Sequence, residues 1–226
     1  MAQRPEELVE LLPEAEPFLA REAKVREAGV RRGLVLVHDL AGEFDAASAG
    51  ALAGAHLLGA LPHEVIARFD VDSLVDYRAH RPRVTFNGDR YESFAAPELL
   101  LHALEDDAGE PFLLLHGAEP DFAWERFVAA VGVLVERLGV TSVVSLQAIP
   151  MPVPHTRPVT VTAHATRRAL IESYPVYWGE MRIPGTVAQV AGDDAGSRLV
   201  ARPPGDDGNA TRPAGAEPGA GPPATT

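Results

Sequence analysis

Large hydrophobic residues in this chain gather into short runs set between longer mixed stretches. Residues 33–38 read Gly-Leu-Val-Leu-Val-His and residues 111–116 read Pro-Phe-Leu-Leu-Leu-His. Apolar runs of that length fit strands buried on both faces of a mainly parallel sheet. Residues 64–69 and 140–146 supply two more strands. Between these runs the period changes. Residues 46–61 are mostly Ala, Gly, Ser and Leu, with Asp45 placed as an N-cap, and predict a helix able to approach a sheet or another chain closely. In residues 122–138, Phe127, Val131, Leu134, Val135 and Leu138 recur at helical spacing, with Asp121 as the expected cap and Gly139 as the stop. Strand and helix alternate, so the pattern predicts an α/β sandwich with a largely parallel sheet. Residues 33–69 form a strand, helix, strand crossover within it.

The remaining elements are smaller. Residues 83–94 alternate around Asn87-Gly88 and predict an antiparallel hairpin. Asp72 is placed to cap a helix over 73–78, residues 159–164 alternate as a strand, and residues 167–173 suggest a short helix. Residues 4–28 are helix-rich, although Pro13 and Pro17 must break or restart the helix. From residue 191 the composition turns to Gly, Pro, Asp, Ala and Thr, which predicts a disordered tail. The expected organisation is an N-terminal helical cap over 1–30, an α/β domain over 31–190, and a tail over 191–226.

Composition narrows the function classes. The chain has 226 residues, 46% of them hydrophobic, and no cysteine, which excludes disulfides, thiolate nucleophiles and Cys-based metal sites. A net charge of −12 disfavours nucleic acid. No basic-then-apolar leader opens the chain and no run reaches the ~20 apolar residues of a membrane span, so a cytoplasmic protein with no membrane partner is expected.

Candidate chemistry collects at predicted strand ends. His38-Asp39 and His116 close two strands, where open α/β sheets place their ligand crevice. Glu119, Asp121 and the proline-rich stretch 149–158, carrying His155, Thr156 and Arg157, belong to the same predicted rim. Prolines at 150, 152, 154 and 158 stiffen that stretch, and if it is extended His155 and Arg157 share a side opposite Thr156. These residues suit a small anion or acid–base chemistry, but also suit ordinary capping of turns, and strand ends collect polar residues for that purpose. No spacing fixes a metal shell, and no dinucleotide or phosphate-loop fingerprint is present, so neither metal nor cofactor is expected. Ser48 falls inside the predicted helix over 46–61, away from any nucleophile turn. Phe122, Trp124 and Phe127 read as core at helical spacing, and Arg81, Arg83 and Arg90 as a solvated face.

Asp76-Tyr77-Arg78 with Arg81-Pro82, Phe112 with the leucines after it, Glu119-Pro120-Asp121, Trp124 to Phe127 and above all residues 150–158 resemble the PAC2 family in its actinobacterial form. These proteins are relatives of the proteasome assembly chaperones. The resemblance covers roughly residues 30–190. It implies a three-layer α/β/α fold similar to nucleoside phosphorylases, a homo-oligomer, a trimer in this branch, and an assembly or interaction role rather than catalysis. Proteasome-related proteins are the partners it implies. Two departures stand out. The chain closes on Pro223-Ala-Thr-Thr226 where docking chaperones carry a hydrophobic-Tyr-X ending. The helical sequence that relatives continue with after Ile183-Pro184-Gly185 does not follow, and we expect a truncation or a frame shift in a GC-rich gene.

Overall fold

The structure is a computed structural model and describes residues 4–29, 33–42, 45–150, 154–158, 160–176, 179–180, 182, 184–187 and 189–190. Eight strands and three α-helices occur among them: β1 (Val9–Leu11), α1 (Ala15–Glu27), β2 (Leu34–Ala41), α2 (Ala49–Ala60), β3 (His63–Phe69), β4 (Val84–Asn87), β5 (Arg90–Phe94), β6 (Leu99–Glu105), β7 (Pro111–Ala118), α3 (Trp124–Leu138) and β8 (Val140–Ser145). Six strands form one sheet in the order β1-β3-β6-β7-β2-β8, while β4 and β5 pair separately.

Strand β2 lies between parallel partners β7 and β8, and the other ladders of the sheet are antiparallel. Strands β3, β7, β2 and β8 therefore run one way and β1 and β6 the other. This is the α/β sheet the apolar runs predict, with an antiparallel hairpin beside it. Strands β2 and β3 do run in the same direction, but β6 and β7 lie between them, so residues 33–69 do not make an adjacent crossover.

Period-two alternation along each strand sorts side chains onto two faces. On one face Leu36, Leu40, Leu99, Leu101, Leu113 and Leu115 pack with Phe18 of α1 and with Phe127, Val131 and Leu134 of α3. The Phe127 side chain is fully buried, with its ring centroid 5.2 Å from that of Phe69. Helix α3 presents an apolar stripe to this core and ends where Gly139 takes a left-handed φ of 68°, the predicted stop. Helix α2 lies across the opposite face, completing three layers. Asp45, four residues before its first residue, caps it by accepting bonds from Gly50 N at 2.6 Å and Ala51 N at 2.9 Å.

Several local expectations fail for identifiable reasons. Val9–Leu11 form an edge strand on β3 inside the region read as helical, and the helix starts only beyond Pro13. No helix covers 73–78, because Tyr77 Oη donates to Asp72 at 2.6 Å and Asp76 accepts from Arg78 N at 2.9 Å. Those carboxylates hold turns instead. Residues 160–164 form no strand, since their alternation finds no ladder, and only Arg168–Leu170 form a short 3-10 turn in place of the helix over 167–173. The hairpin forms with Gly88-Asp89 at its tip and Asn87 pairing Arg90. Strand β6, central to the sheet, has no counterpart in the sequence reading. The predicted tail over 191–226 lies outside the described residues.

Candidate functional site

Because β7, β2 and β8 are parallel and adjacent, their C-terminal ends share one edge of the sheet. The β2–β7 register places Asp39 directly opposite His116. Asp39 Oδ2 accepts from His116 Nδ1 at 2.7 Å, with the aspartate side chain fully buried and the histidine partly open. The cover over this pair is Gly54 of α2. A Cβ at that position would overlap the Asp39 carboxylate and press on His116 Nδ1. A small-residue helix is thus what lets α2 settle onto a polar pair.

The pair's electrostatics follow from burial. Desolvation raises the Asp39 carboxyl against the lowering effect of its bond and charge contact with His116. The hydrogen bond to Asp39 raises His116, against its own desolvation. Both groups therefore hold their protons more tightly than the free side chains do.

Two further histidines extend the cluster along the same face. The His102 ring on β6 lies 6.4 Å from the His116 ring and 5.5 Å from the His63 ring on β3. Burial first, then its two histidine neighbours, push His102 down to about 4, so it is neutral at pH 7. A lateral row therefore runs from exposed His63 through His102 and His116 to Asp39. Sequence reading missed its outer half. The signal available was the apolar run Leu99–Glu105 with a histidine at its centre.

On the opposite face His38 is buried, and neither ring nitrogen has a hydrogen-bond partner among the described residues. Burial, and then His164, lower it to about 4. His38 and Asp39 are neighbours in sequence but serve different faces.

The other predicted site residues disperse. Glu119 N donates to Ala41 O at 3.2 Å, tying the end of β7 to that of β2. Asp121 does not cap α3. Its Oδ2 accepts from Asp76 N at 2.7 Å and its Oδ1 lies 3.1 Å from His80 Nε2, which ties it to the loop after β3. His155, Thr156 and Arg157 occupy an exposed turn in which Arg157 N donates to Pro154 O at 2.9 Å. The end of the proline-rich stretch therefore bends instead of extending, and Met151 to Val153 lie outside the described residues. The structure unites Asp39 and His116 and does not bring the exposed turn to them.

A groove of about 640 Å³ opens beside this cluster, between the first turns of α2 and the end of β8, lined by Ala49, Ala53, Ser145, Gln147, Ile149 and Thr162 among others. Its lining contains no Lys, Arg, Asp or Glu. Among the described residues no three His, Asp or Glu side chains gather as a metal site.

The comparisons agree with this architecture. The structure resembles a Mycobacterium tuberculosis protein of unknown function, Rv2714, at 43% identity and a TM-score of 0.73, over 84% of this chain and 63% of that one. This chain thus spans less than two thirds of that relative's length. A Corynebacterium glutamicum protein of unknown function matches at 34% identity with a TM-score of 0.73, over 84% of this chain and 68% of that one. A proteasome-assembly chaperone homologue of M. tuberculosis, Rv2125, matches at 25% identity with a TM-score of 0.67, over 73% of this chain and 70% of that one. A search of curated proteins gives no match. The PAC2 family model matches residues 40–200, most of the chain, and the chain belongs to the PAC2 family.

Proposed function

We propose that this chain is a non-enzymatic, homo-oligomeric assembly or interaction protein of the cytoplasm, acting on proteasome-related partners as its similarity to a proteasome-assembly chaperone homologue suggests. The observation that carries this reading is the closure of the Asp39–His116 pair. Its aspartate is fully buried and bonded within the fold, and Gly54 lies against it. Such a pair fixes β2, β7 and α2 to one another and leaves outward contacts to other residues. The exposed turn with His155, Thr156 and Arg157 is the partner-facing element in this reading, while Glu119 and Asp121 tie loops within the fold. No helix among the described residues is long and apolar enough to cross a membrane.

Co-fractionation of the purified chain with proteasome α- and β-subunits of its own host tests the proposal. We expect association with free subunits or an assembly intermediate, weakened by Arg157→Glu. Failure to associate with subunits in any assembly state removes the proteasomal reading.

The neutral groove of about 640 Å³ favours a second reading, a small-molecule enzyme working at the strand ends. Thermal shifts with nucleosides, phosphate and carboxylates test it, because a ligand at 100 times its Kd raises stability by ~2.7 kcal/mol. With no Lys or Arg in the lining, any shift is expected from a nucleoside rather than from the anions.

A further inference from the structure

The outer end of the histidine row differs from the closed Asp39–His116 pair. His63 lies opposite Leu104 of β6 and His102 lies opposite Val65 of β3, so the two histidines are diagonal neighbours on the α2 face. Their rings meet edge to face, with centroids 5.5 Å apart. His63 is exposed and His102 is buried. The Nδ1 of His63 lies 3.1 Å from Leu61 O, at the exit from α2. A carbonyl only accepts, so Nδ1 carries the ring proton and the neutral ring keeps its lone pair on Nε2. His102 has a buried Nδ1 with no hydrogen-bond partner among the described residues. Leaving a buried ring nitrogen unpaired is costly, and such a group points to a bound water or ion.

We infer that His63 and His102 together bind one divalent transition-metal ion of the zinc class, with water completing its coordination. Distance selects the pair. Two imidazoles on one tetrahedral ion, each with nitrogen ~2.1 Å from the metal, hold their ring centroids about 5 Å apart. His63 and His102 fit that spacing, whereas His102 and His116, at 6.4 Å, do not. The site therefore has two protein ligands, which agrees with the lack of a three-residue metal cluster among the described residues. Leu61 O supplies what a ligating histidine ordinarily has, an acceptor on the far nitrogen that fixes tautomer and ring orientation. His102 is neutral at pH 7, because burial holds it down to about 4, so no proton has to leave before it ligates. The ligand type selects the ion. Imidazole suits Zn²⁺, Cu²⁺ and Ni²⁺, while Mg²⁺ and Ca²⁺ take oxygen ligands. A bound ion ties β3 to β6 beside the end of α2, at a place that the proposed partner-facing turn does not use.

Isothermal titration calorimetry of the full untagged chain with ZnCl₂, after treatment with EDTA and its removal by dialysis, tests the site. We expect saturable binding of one Zn²⁺ per chain and no binding of Mg²⁺. His63→Gln removes an exposed ligand without disturbing the core, and is expected to weaken Zn²⁺ binding by more than the ~10–100-fold that loss of a group behind a ligand costs. His102→Gln is the second variant, with circular dichroism to check that it folds. His56→Gln, exposed on α2, is the control for adventitious surface binding and leaves the affinity unchanged. Zn²⁺ is also expected to raise the Tm of the wild type and of His56→Gln, but not that of His63→Gln. A wild-type chain that takes up no Zn²⁺ overturns the inference. Zn²⁺ that binds His63→Gln as tightly as wild type overturns it even where His102→Gln does not fold. Competition by Mg²⁺ assigns the ion to carboxylates elsewhere and also overturns it.

Discussion

The two faces of the main sheet are made by the same strands and differ in almost everything else. On the α1/α3 face, Leu36, Leu40, Leu99, Leu101, Leu113 and Leu115 meet Phe18 and Phe127 in a dry core. One residue along from several of these, Asp39, His102 and His116 point to the α2 face and make a polar cluster there. Two helices close the first face. Among the described residues the second is covered by one helix of small residues, with Val35 and Val144 exposed. Period-two alternation therefore lets one set of strands separate stability from polar chemistry.

The comparison predicts that mutations on the two faces act through different physics. The largest effect belongs to the dry face. Phe127→Ala removes a fully buried ring that packs on Phe69, and we expect a loss of about 3–5 kcal/mol in urea unfolding. Leu52→Ala, on the open side of α2, is expected to change stability by no more than ~0.5 kcal/mol. Equal effects would mean that α2 is enclosed as tightly as α3.

The dry face was also the legible one. Strands β2, β3, β7 and β8 and helix α3 can be read from the sequence because a residue buried on both sides, or at helical spacing, leaves its mark in hydrophobicity. The polar cluster left a weaker trace. His38-Asp39 and His116 are visible as strand-end residues, but only the β2–β7 register shows that Asp39, not His38, meets His116. His102 needs β6 to be slotted between β3 and β7, which no local pattern states. In the other direction, residues 160–164 alternate like a strand and make none, since a ladder requires a partner as well as a propensity.

Titration separates the faces next. His38 and His102 are held near 4 against an ordinary 6.5, so below pH 6.5 the unfolded chain binds more protons and stability falls as pH drops through 4. Each contributes to that acid limb, whose window runs from the ordinary 6.5 down to the folded value near 4. His116 is raised, so its contribution is complete below 6.5 and lost as pH climbs through its higher folded value. His38→Leu, an apolar replacement on the leucine face, is expected to shrink the acid limb to the part that His102 sets, without touching the alkaline one. His116→Gln should remove the alkaline limb. Urea midpoints measured from pH 4 to pH 9 check both, and a His38→Leu profile parallel to wild type would show that the buried ring is not what acid attacks.

Two glycines in α2 give the finest test of how the helix sits. At Gly54 a Cβ meets the Asp39 carboxylate and His116, so Gly54→Ala must push α2 outward or break the pair, at about 1–3 kcal/mol. The alkaline limb set by His116 should shrink in the same variant, because the bond that raises it is strained. At Gly59 a Cβ meets nothing within 4 Å. There the substitution only restricts the unfolded chain and improves helix propensity, so Gly59→Ala is expected to raise stability by about 0.5–1 kcal/mol. Thermal unfolding of the two single variants and of the double variant reads this directly. Additive effects mean that Gly54 acts only through the polar pair beneath it, whereas a double variant that recovers more than the Gly59 gain means that a stiffer α2 tolerates lifting off the sheet.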